Sequence, residues 1–230
     1  MKIPFVLSEV THSIIDFLFP PACLVCECAY NESDIICTNC HEAVSDCAKN
    51  YLPPKCNIEN IDEVSILLPY NTVSRKMIHA LKYHGIQSIG VVLGKLMAKA
   101  TLAGFTLEKS PYLVPVPLHP AKRNERGYNQ SERIAEGFSS YSGYEIHSGL
   151  IRRNKETSTQ TALDQKERAL NVSGAFDFNG RKSLSGRQIL IIDDVLTTGS
   201  TVSECAKALK EGGAGKIVVC VVATPTIGNN

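Results

Sequence analysis

The chain has 230 residues, 43% of them hydrophobic, with a formal net charge of +1 and a pI near 7.6. This composition indicates a globular protein with a packed core and excludes a disordered chain of low hydrophobicity. The small net charge excludes nucleic-acid or membrane binding driven by bulk charge, although a local basic patch remains compatible with it. No stretch approaches the ~20 apolar residues that a membrane-spanning helix needs.

The first predicted element is a short amphipathic helix within Phe5–Phe19. Apolar residues recur there at helical spacing, and Glu9, His12 and Asp16 interrupt the run before it could form a signal-peptide core. We expect this helix to dock on the protein's own core, with contact to a membrane surface as the alternative. Together with the cysteine pattern described next, this predicts a reducing, cytoplasmic compartment.

Seven of the nine cysteines fall between Cys23 and Cys56, which indicates a local site and not a chain-wide disulfide framework. Two C-x-x-C pairs, ten residues apart, have a spacing typical of structural zinc; the predicted ligands are Cys23, Cys26, Cys37 and Cys40. Cys28 and His41 stand beside the pairs and could substitute for a ligand. Disulfides, free thiols or a redox switch are the alternatives. A closed four-ligand site stabilises or docks, because it has no open position for catalysis.

The metal-binding region, residues 1–60, is expected to precede a larger α/β domain, residues 61–230. Asn50–Ile61 has little periodicity and contains two prolines, so it is interpreted as the linker. The larger domain opens with three predicted elements, the strand Val64–Tyr70, the basic helix Ser74–Tyr83 and the helix Gly90–Ala103.

A basic segment follows the next strand. Tyr112–Pro117 ends in alternating prolines, which predicts an edge strand or a strand terminus. The segment LHPAKRNERGYNQ then leads into a predicted helix, Asn129–Phe138, and the cations of this region are Lys122, Arg123, Arg126 and Arg133. Because the carboxyl ends of parallel strands share one edge, we expect these cations where ligands bind.

Two more strands are predicted, Glu145–Ile151 and Lys216–Ala223. Between the first of them and residue 172 the chain is polar and weakly periodic. Arg152–Val172 is long for a loop in a compact domain, which predicts a lid over the site at Thr157–Arg168.

The most informative stretch is Gln188–Ser203, QILIIDDVLTTGSTVS. An apolar strand run ends in Asp193 and Asp194, a loop of hydroxyl residues and glycine follows, and helical periodicity then begins. A helix N-terminus offers N–H groups and a partial positive charge to an anion, while two carboxylates suit vicinal hydroxyls or a cation. An ordinary helix cap needs only one such side chain. A sugar phosphate satisfies both halves, and neither G-x-x-x-x-G-K-[ST] nor G-x-G-x-x-G occurs.

This stretch resembles the 5-phosphoribosyl-1-pyrophosphate (PRPP) loop of type I phosphoribosyltransferases. The resemblance implies a parallel sheet flanked by helices and a ligand bound together with Mg²⁺. It assigns Asp193 and Asp194, the expected catalytic pair, to the ribose hydroxyls. It assigns the 5′-phosphate to the loop that follows, Thr197, Thr198, Gly199, Ser200 and Thr201.

The chain from Phe19 to Ala223 resembles the ComF/GntX family as a whole. The cysteine pairs, HALKYHG, VPVPLHPAKRNERGYNQ, TSTQTALDQKERALNVSGAF and DDVLTTGST occur in the family's order. The resemblance implies a pyrophosphate loop and nearby basic group at Val116, Pro117, Leu118, His119 and Arg126. Further candidates are Lys82, Asn129, Gln130, Gln160 and Arg168. Where family members often carry a second cysteine pair, this chain has only the isolated Cys47 and Cys56, so one zinc site is expected.

Two classes of function follow from this resemblance, whose members include competence proteins of natural transformation. The first is an enzyme that transfers a phosphoribosyl group to an unidentified nitrogen acceptor, linked to competence and DNA uptake. The alternative is a non-catalytic PRPP sensor or a single-stranded-DNA-binding factor, acting alongside a helicase-like partner. Exposed aromatic residues for base stacking are sparse, which weakens the DNA-binding alternative.

Overall fold

The computed structural model describes residues 22–30, 35–154, 174–180 and 183–225. The chain divides into two compact units, Met1–Asp46 and Cys47–Asn230, and each is described by itself. The predicted division between residues 60 and 61 stays a prediction, because compactness alone does not identify the part that folds independently. The predicted helix within Phe5–Phe19 and the predicted lid at Thr157–Arg168 lie outside the described residues.

The first unit contains a tight turn that brings its first cysteine pair together. The N–H of Cys23 donates to the carbonyl of Cys28 at 2.9 Å, and the N–H of Glu27 donates back to the carbonyl of Cys23 at 2.8 Å. Glu27 has a positive φ of 62°, which closes the turn. A helix that the sequence analysis did not predict, α1 (Thr38–Asn50), begins directly after Cys37 and ends in the second unit.

The second unit is built on a four-stranded parallel sheet. The strands are β1 (Glu63–Pro69), β2 (Tyr112–Pro115), β3 (Ile151–Arg153), β4 (Phe176–Phe178), β5 (Ile189–Val195) and β6 (Ile217–Thr224). The main sheet has the order β1-β6-β5-β2, and β3 pairs with β4 in a separate antiparallel sheet. Leu190 in β5 lies between Leu113 of β2 and Val218 of β6. Strands β5 and β6 are almost continuously apolar because helices cover both faces of a parallel sheet. Strand β2, predicted as an edge strand or a strand terminus, is last in the sheet order, and a single bridge joins Leu113 to Ile146 on its outer side.

In the described part of the second unit, five further helices flank the sheet, α2 (Thr72–Tyr83), α3 (Ser88–Gly104), α4 (Pro120–Arg126), α5 (Gln130–Ser142) and α6 (Ser200–Glu211). A capping box fixes the start of α2, where Asn71 accepts from the N–H of Ser74 at 3.1 Å and its own N–H donates to Ser74 Oγ at 2.9 Å. Met77, Ile78 and Leu81 are buried on the inward face of α2. Among the described residues, no helix combines the length and hydropathy needed to cross a membrane.

Helices α3 and α5 pack unusually closely, and this contact positions the start of α5 beside the sheet. A Cβ atom on Gly94 would lie 2.0 Å from the carbonyl oxygen of Ile134, and one on Gly137 would lie 2.1 Å from that of Val91. Only glycine fits at both positions, because any side chain would collide with backbone. The N-terminus of α5, fixed in this way, carries part of the candidate site.

Two sequence-based predictions need correction in this unit. The predicted strand Glu145–Ile151 is wrong, because residue 146 makes only an isolated bridge to Leu113 and the strand begins at Ile151. Arg152 and Arg153 therefore belong to β3, and not to the long polar loop. Helix α4 was not predicted, because its seven residues, none of them buried, are too few and too polar to show an apolar period.

Candidate active site and cysteine cluster

The two predicted catalytic acids lie at the carboxyl end of β5, next to a lysine from α2. Asp194 is only 4% exposed, and its Oδ2 lies 2.9 Å from the ammonium nitrogen of Lys82. Lys82 occupies the last turn of α2. Burial lowers the pKa of Lys82, but the nearby charges of Asp194 and Asp193 outweigh it and hold the pKa above its usual value. The lysine is therefore a fixed cation beside the acid pair.

Asp193 is held by a hydrogen-bonding partner that the sequence analysis did not identify. Its Oδ1 accepts from Ser131 Oγ at 2.9 Å and from the backbone N–H of Asp194 at 2.9 Å. Burial, followed by the negative charge of Asp194, raises the pKa of Asp193 to about 7, against the opposing effects of Lys82 and these hydrogen bonds. The carboxyl group thus titrates near neutral pH.

The predicted phosphate loop connects β5 to α6 and leaves the start of that helix open. Gly199 is the N-cap, with a φ of 79° and no side-chain cap of its own, and the N–H of Ser200 donates to Thr198 Oγ1 at 3.4 Å. The hydroxyls of Thr198 and Ser200 lie 3.0 Å apart, while Thr197 is exposed and Thr201 is half-buried. Backbone N–H groups, hydroxyls and the positive end of a helix dipole therefore converge at one point, which suits a phosphate.

The segment predicted to be a linker, Asn50–Ile61, packs against this loop and the first turn of α6. A Cβ atom on Gly199 would lie 2.9 Å from Cδ1 of Ile58, so the two residues are in close contact. One turn into α6, Ser203 Oγ donates to the carbonyl of Glu59 at 3.1 Å. No local pattern around Ile58 signals this role, because its partners are more than a hundred residues away.

The predicted pyrophosphate loop continues from β2, on the strand next to β5. The N–H of Val116 donates to the carbonyl of Ile192 at 3.0 Å, which extends the β2–β5 pairing into the loop. Pro117, Leu118 and His119 are half-buried. His119 Nδ1 accepts from the N–H of Ala121 at 3.3 Å and so caps α4. The two predicted loops therefore lie on adjacent strands at the same edge of the sheet, as the sequence analysis expected.

Residues of the R-G-Y-N-Q segment hold the pyrophosphate loop and its neighbouring cation. Asn129 Nδ2 donates to the carbonyl of Val116 at 3.0 Å, and Arg126 donates to Gln130 Oε1 at 2.6 Å. The Arg126 guanidinium also stacks 5.6 Å from the centre of the exposed Tyr83 ring.

The predicted cations of this region fall into two groups. Arg123 pairs with Glu132 at 3.1 Å, and Arg133 with Glu136 at 2.8 Å, so the first group is neutralised on the protein surface. Lys122 belongs to a second group close to the acid pair: its pKa is lowered by burial first, and then by the positive charges of Arg153, Arg126 and Lys82. The positive charges of the other three side chains disfavour the protonated form of Lys122, and a polyanion bound beside them would offset this effect. Arg153 is a site candidate that the sequence analysis missed.

Two of the predicted site residues, Gln160 and Arg168, lie outside the described residues. For them the sequence prediction stands unchanged.

The four predicted zinc ligands of the first unit form a cluster. The sulfur atoms of Cys23, Cys26, Cys37 and Cys40 all lie within 4.8 Å of one another. Four sulfurs bound tetrahedrally at the usual ~2.3 Å zinc distance would be about 3.8 Å apart, and those of the second and third of these residues are 3.8 Å apart. The donor set therefore fits a metal ion, and Cys28 and His41 are outside this group among the described residues.

Backbone N–H groups stabilise the thiolate form of Cys23. Although burial raises the pKa of Cys23, N–H groups of Cys26, Cys37 and Val25 outweigh it and lower the pKa to about 6. Two of these contacts, from Val25 and Cys37, are 3.4 Å long. Such N–H groups stabilise the thiolate, which is the form that binds metal.

Comparisons with known proteins identify a family and several relatives of this chain. The family model described as "Phosphoribosyl transferase domain" matches residues 85–228. "DNA utilization protein YhgH" of Escherichia coli K12 is 29% identical over 207 residues, covering 86% of this chain and 87% of that protein. "Competence protein F" of Haemophilus influenzae is 34% identical over 108 residues, covering 46% of this chain and 47% of that protein. "Competence protein ComFC" of Bacillus subtilis is 33% identical over 144 residues, covering 63% of this chain and 56% of that protein.

Proposed function

Because the chain belongs to the phosphoribosyl transferase domain family, we propose that it binds PRPP with Mg²⁺ and transfers the phosphoribosyl group to a nitrogen acceptor. One observation carries the proposal. The acid pair, the open N-terminus of α6 and the Val116 loop lie together at the carboxyl edge of two adjacent strands. A sugar with a phosphate at one end and a pyrophosphate at the other matches this arrangement.

Each half of the ligand has its own set of residues in this proposal. Asp193 and Asp194 accept hydrogen bonds from the ribose hydroxyls. The 5′-phosphate binds the hydroxyls and N–H groups of Thr197–Thr201. The pyrophosphate binds at Val116–His119, where the neighbouring cations include Arg126 and Lys82.

Mg²⁺ fits this chemistry because PRPP supplies the hard oxygen ligands that the ion prefers. When bound, it neutralises charge that develops on the departing pyrophosphate. Arg126 and Lys122 add fixed positive charge on the same side of the ligand. In the reaction, the bond between the anomeric carbon and pyrophosphate breaks with its electron pair, a bond to the acceptor nitrogen forms, and the nitrogen's proton passes to solvent. The carboxylates of Asp193 and Asp194 stabilise positive charge on the ribose during this step.

The cysteine cluster is proposed to hold one structural zinc ion. All four ligand positions are filled by sulfur, so the metal has no site for a substrate. None of the nine cysteines forms a disulfide. From the cysteine spacing we propose a reducing, cytoplasmic compartment.

A second candidate function is PRPP sensing or single-stranded DNA binding without turnover. The protein would act in this way alone or with a helicase-like partner. The stacked pair of Arg126 and Tyr83 favours it, since an exposed aromatic ring beside a guanidinium can stack on a base. The names of the relatives, which refer to DNA utilization and competence, point the same way. Against it, Lys82 and Arg123 are already engaged by acidic residues.

The deciding experiment measures pyrophosphate release from PRPP. We expect release to require Mg²⁺ and an added nitrogen acceptor from a panel of nucleobases and amines. Tight PRPP binding without release for any acceptor would favour the sensor. Titration of single-stranded DNA at several salt concentrations tests the DNA-binding function, for which phosphate contacts predict a steep salt dependence.

A further inference from the structure

Three side chains at the start of α5 reach three different parts of the candidate site. We call Tyr128, Asn129 and Ser131 the α5 clamp. All three are buried, with exposures of 5%, 1% and 0%. The amide nitrogen of Asn129 and the hydroxyl of Ser131 make hydrogen bonds that capping of the helix does not require.

The clamp contacts residues far away in the sequence. The Tyr128 hydroxyl donates to the carbonyl of Leu81, the residue before Lys82. Ser131 Oγ donates to Asp193 Oδ1, 62 residues along the chain. The middle residue, Asn129, bonds the first residue of the predicted pyrophosphate loop.

Asn129 performs two tasks with its two polar atoms. Its Oδ1 accepts from the N–H of Ser131 at 3.0 Å, which is ordinary helix capping. Its Nδ2 donates to the carbonyl of Val116 at 3.0 Å. The second bond pins the first peptide of the loop, and this peptide has no N–H of its own because Pro117 follows.

Ser131 acts on the other half of the site. Together with the N–H of Asp194, it holds a single oxygen of Asp193, so rotation of that carboxylate is restricted. The charged groups around Asp193 are Asp194 on its own strand, Lys82 from α2 and Arg153 from β3. Among the described contacts, the side-chain hydrogen bond to Oδ1 comes from Ser131, and the N–H of Asp194 donates to the same oxygen.

We propose that Asn129 and Ser131 are positioning residues for opposite halves of PRPP: Asn129 orients the pyrophosphate loop through Val116, and Ser131 orients Asp193 towards the ribose. This inference rests on the function proposed above. It predicts that the two residues affect different parts of one ligand, although they are two positions apart on the same helix. A purely structural role would affect all parts alike.

The test is calorimetric titration of the full chain with three probes in the presence of Mg²⁺: PRPP, ribose 5-phosphate and inorganic pyrophosphate. Ser131→Ala should weaken PRPP and ribose 5-phosphate about tenfold, the effect of losing one hydrogen bond to a charged group, and leave pyrophosphate unchanged. Ser131→Thr, which keeps the hydroxyl, should restore both. Asn129→Asp keeps the capping oxygen but loses the N–H donor, so it should weaken PRPP and pyrophosphate and leave ribose 5-phosphate unchanged.

The control is Ser140→Ala on the same helix, where the hydroxyl bonds only the local carbonyl of Gly137. If Ser131→Ala does not fold, Ser131→Cys keeps the size with a weaker donor and replaces it. Equal loss for all three probes, or no loss, would overturn the positioning roles while PRPP binding by the unaltered chain upholds the proposed function. If the unaltered chain binds neither PRPP nor pyrophosphate, the proposed function fails and the positioning roles fail with it.

Discussion

The ammonium nitrogen of Lys82 lies 2.9 Å from Oδ2 of Asp194, so the acid pair carries a neutralising cation before any ligand binds. The two side chains come from different elements, the end of α2 and the end of β5. Two adjacent carboxylates in a half-buried site repel each other, and a nearby cation offsets that repulsion. In the proposed function the same cation also contributes to pyrophosphate binding, which links folding stability to that function at one residue.

Replacing Lys82 with Met should therefore destabilise the fold by about 1–2 kcal/mol, since a mostly buried carboxylate loses its partner. The pKa of Lys82 is raised in the folded state, so its contribution is fully present below the usual lysine pKa. It is lost as the pH rises through the folded-state pKa. Urea unfolding should show a large difference from the unaltered chain at pH 7.5, and this difference should shrink as the pH rises above the usual lysine pKa. Lys99→Met, at an exposed position of α3, is the control, and an equal loss there would contradict this assignment.

Asp193→Asn should separate stability from ligand binding. Because the folded-state pKa of Asp193 is about 7, above the unfolded value of an aspartate, the folded state binds the proton more tightly. Stability from this group therefore falls as pH rises from about 4 to 7. The asparagine variant should be more stable than the unaltered chain at pH 8, by about 4 kcal/mol, and equally stable near pH 3.

The same variant should lose PRPP affinity, because a neutral amide accepts hydroxyl hydrogen bonds less strongly than a carboxylate. In the unaltered chain, affinity should increase from pH 6 to 8 as Asp193 ionises. Thermal unfolding and calorimetry measure the two effects, with Glu211→Gln at an exposed position of α6 as the control. A pH-independent affinity between pH 6 and 8 would show that ionisation of Asp193 is not required.

The sequence predicted the parts of the site that are continuous in the chain. An apolar run followed by Asp193, Asp194 and a hydroxyl loop is a local pattern, and it identified β5, the loop and the start of α6 together. The resemblance to the ComF/GntX family is confirmed by the relatives described above. The four clustered cysteines were also predictable, because metal ligands in such sites have short, regular spacings.

The supporting residues could not be predicted in this way. Ser131 contacts Asp193 across 62 residues, and Ile58 reaches Gly199 from what looks like a linker. Such partners depend on how strands and helices are arranged in space, which no single-sequence period encodes. Arg153 was missed because β3 has only three residues, too few to show an alternating pattern.

Metal analysis of the purified chain should find close to one zinc ion per chain. Cys26→Ser should lower the zinc content towards zero, because serine does not replace a thiolate ligand. Cys28→Ser is the matched control: this cysteine is exposed and its sulfur donates to the carbonyl of Cys26 at 3.7 Å, outside the cluster. Zinc loss in the Cys28 variant, or full retention in the Cys26 variant, would contradict the ligand assignment.

Gly199→Ala should weaken binding at the 5′-phosphate end of the ligand. Two costs combine at this position, a positive φ of 79° that alanine adopts poorly and a Cβ placed 2.9 Å from Ile58. Gly143→Ala is a closely matched control, since its φ is 75° with nothing within 4 Å, and it should lose only about 1 kcal/mol of stability. The Gly199 variant should lose more stability and also bind ribose 5-phosphate at least tenfold more weakly, because the loop must shift away from the helix N-terminus. Adding Ile58→Ala should recover part of the affinity by removing the contact. Unchanged ribose 5-phosphate affinity in the Gly199 variant would mean that the phosphate does not bind at the start of α6.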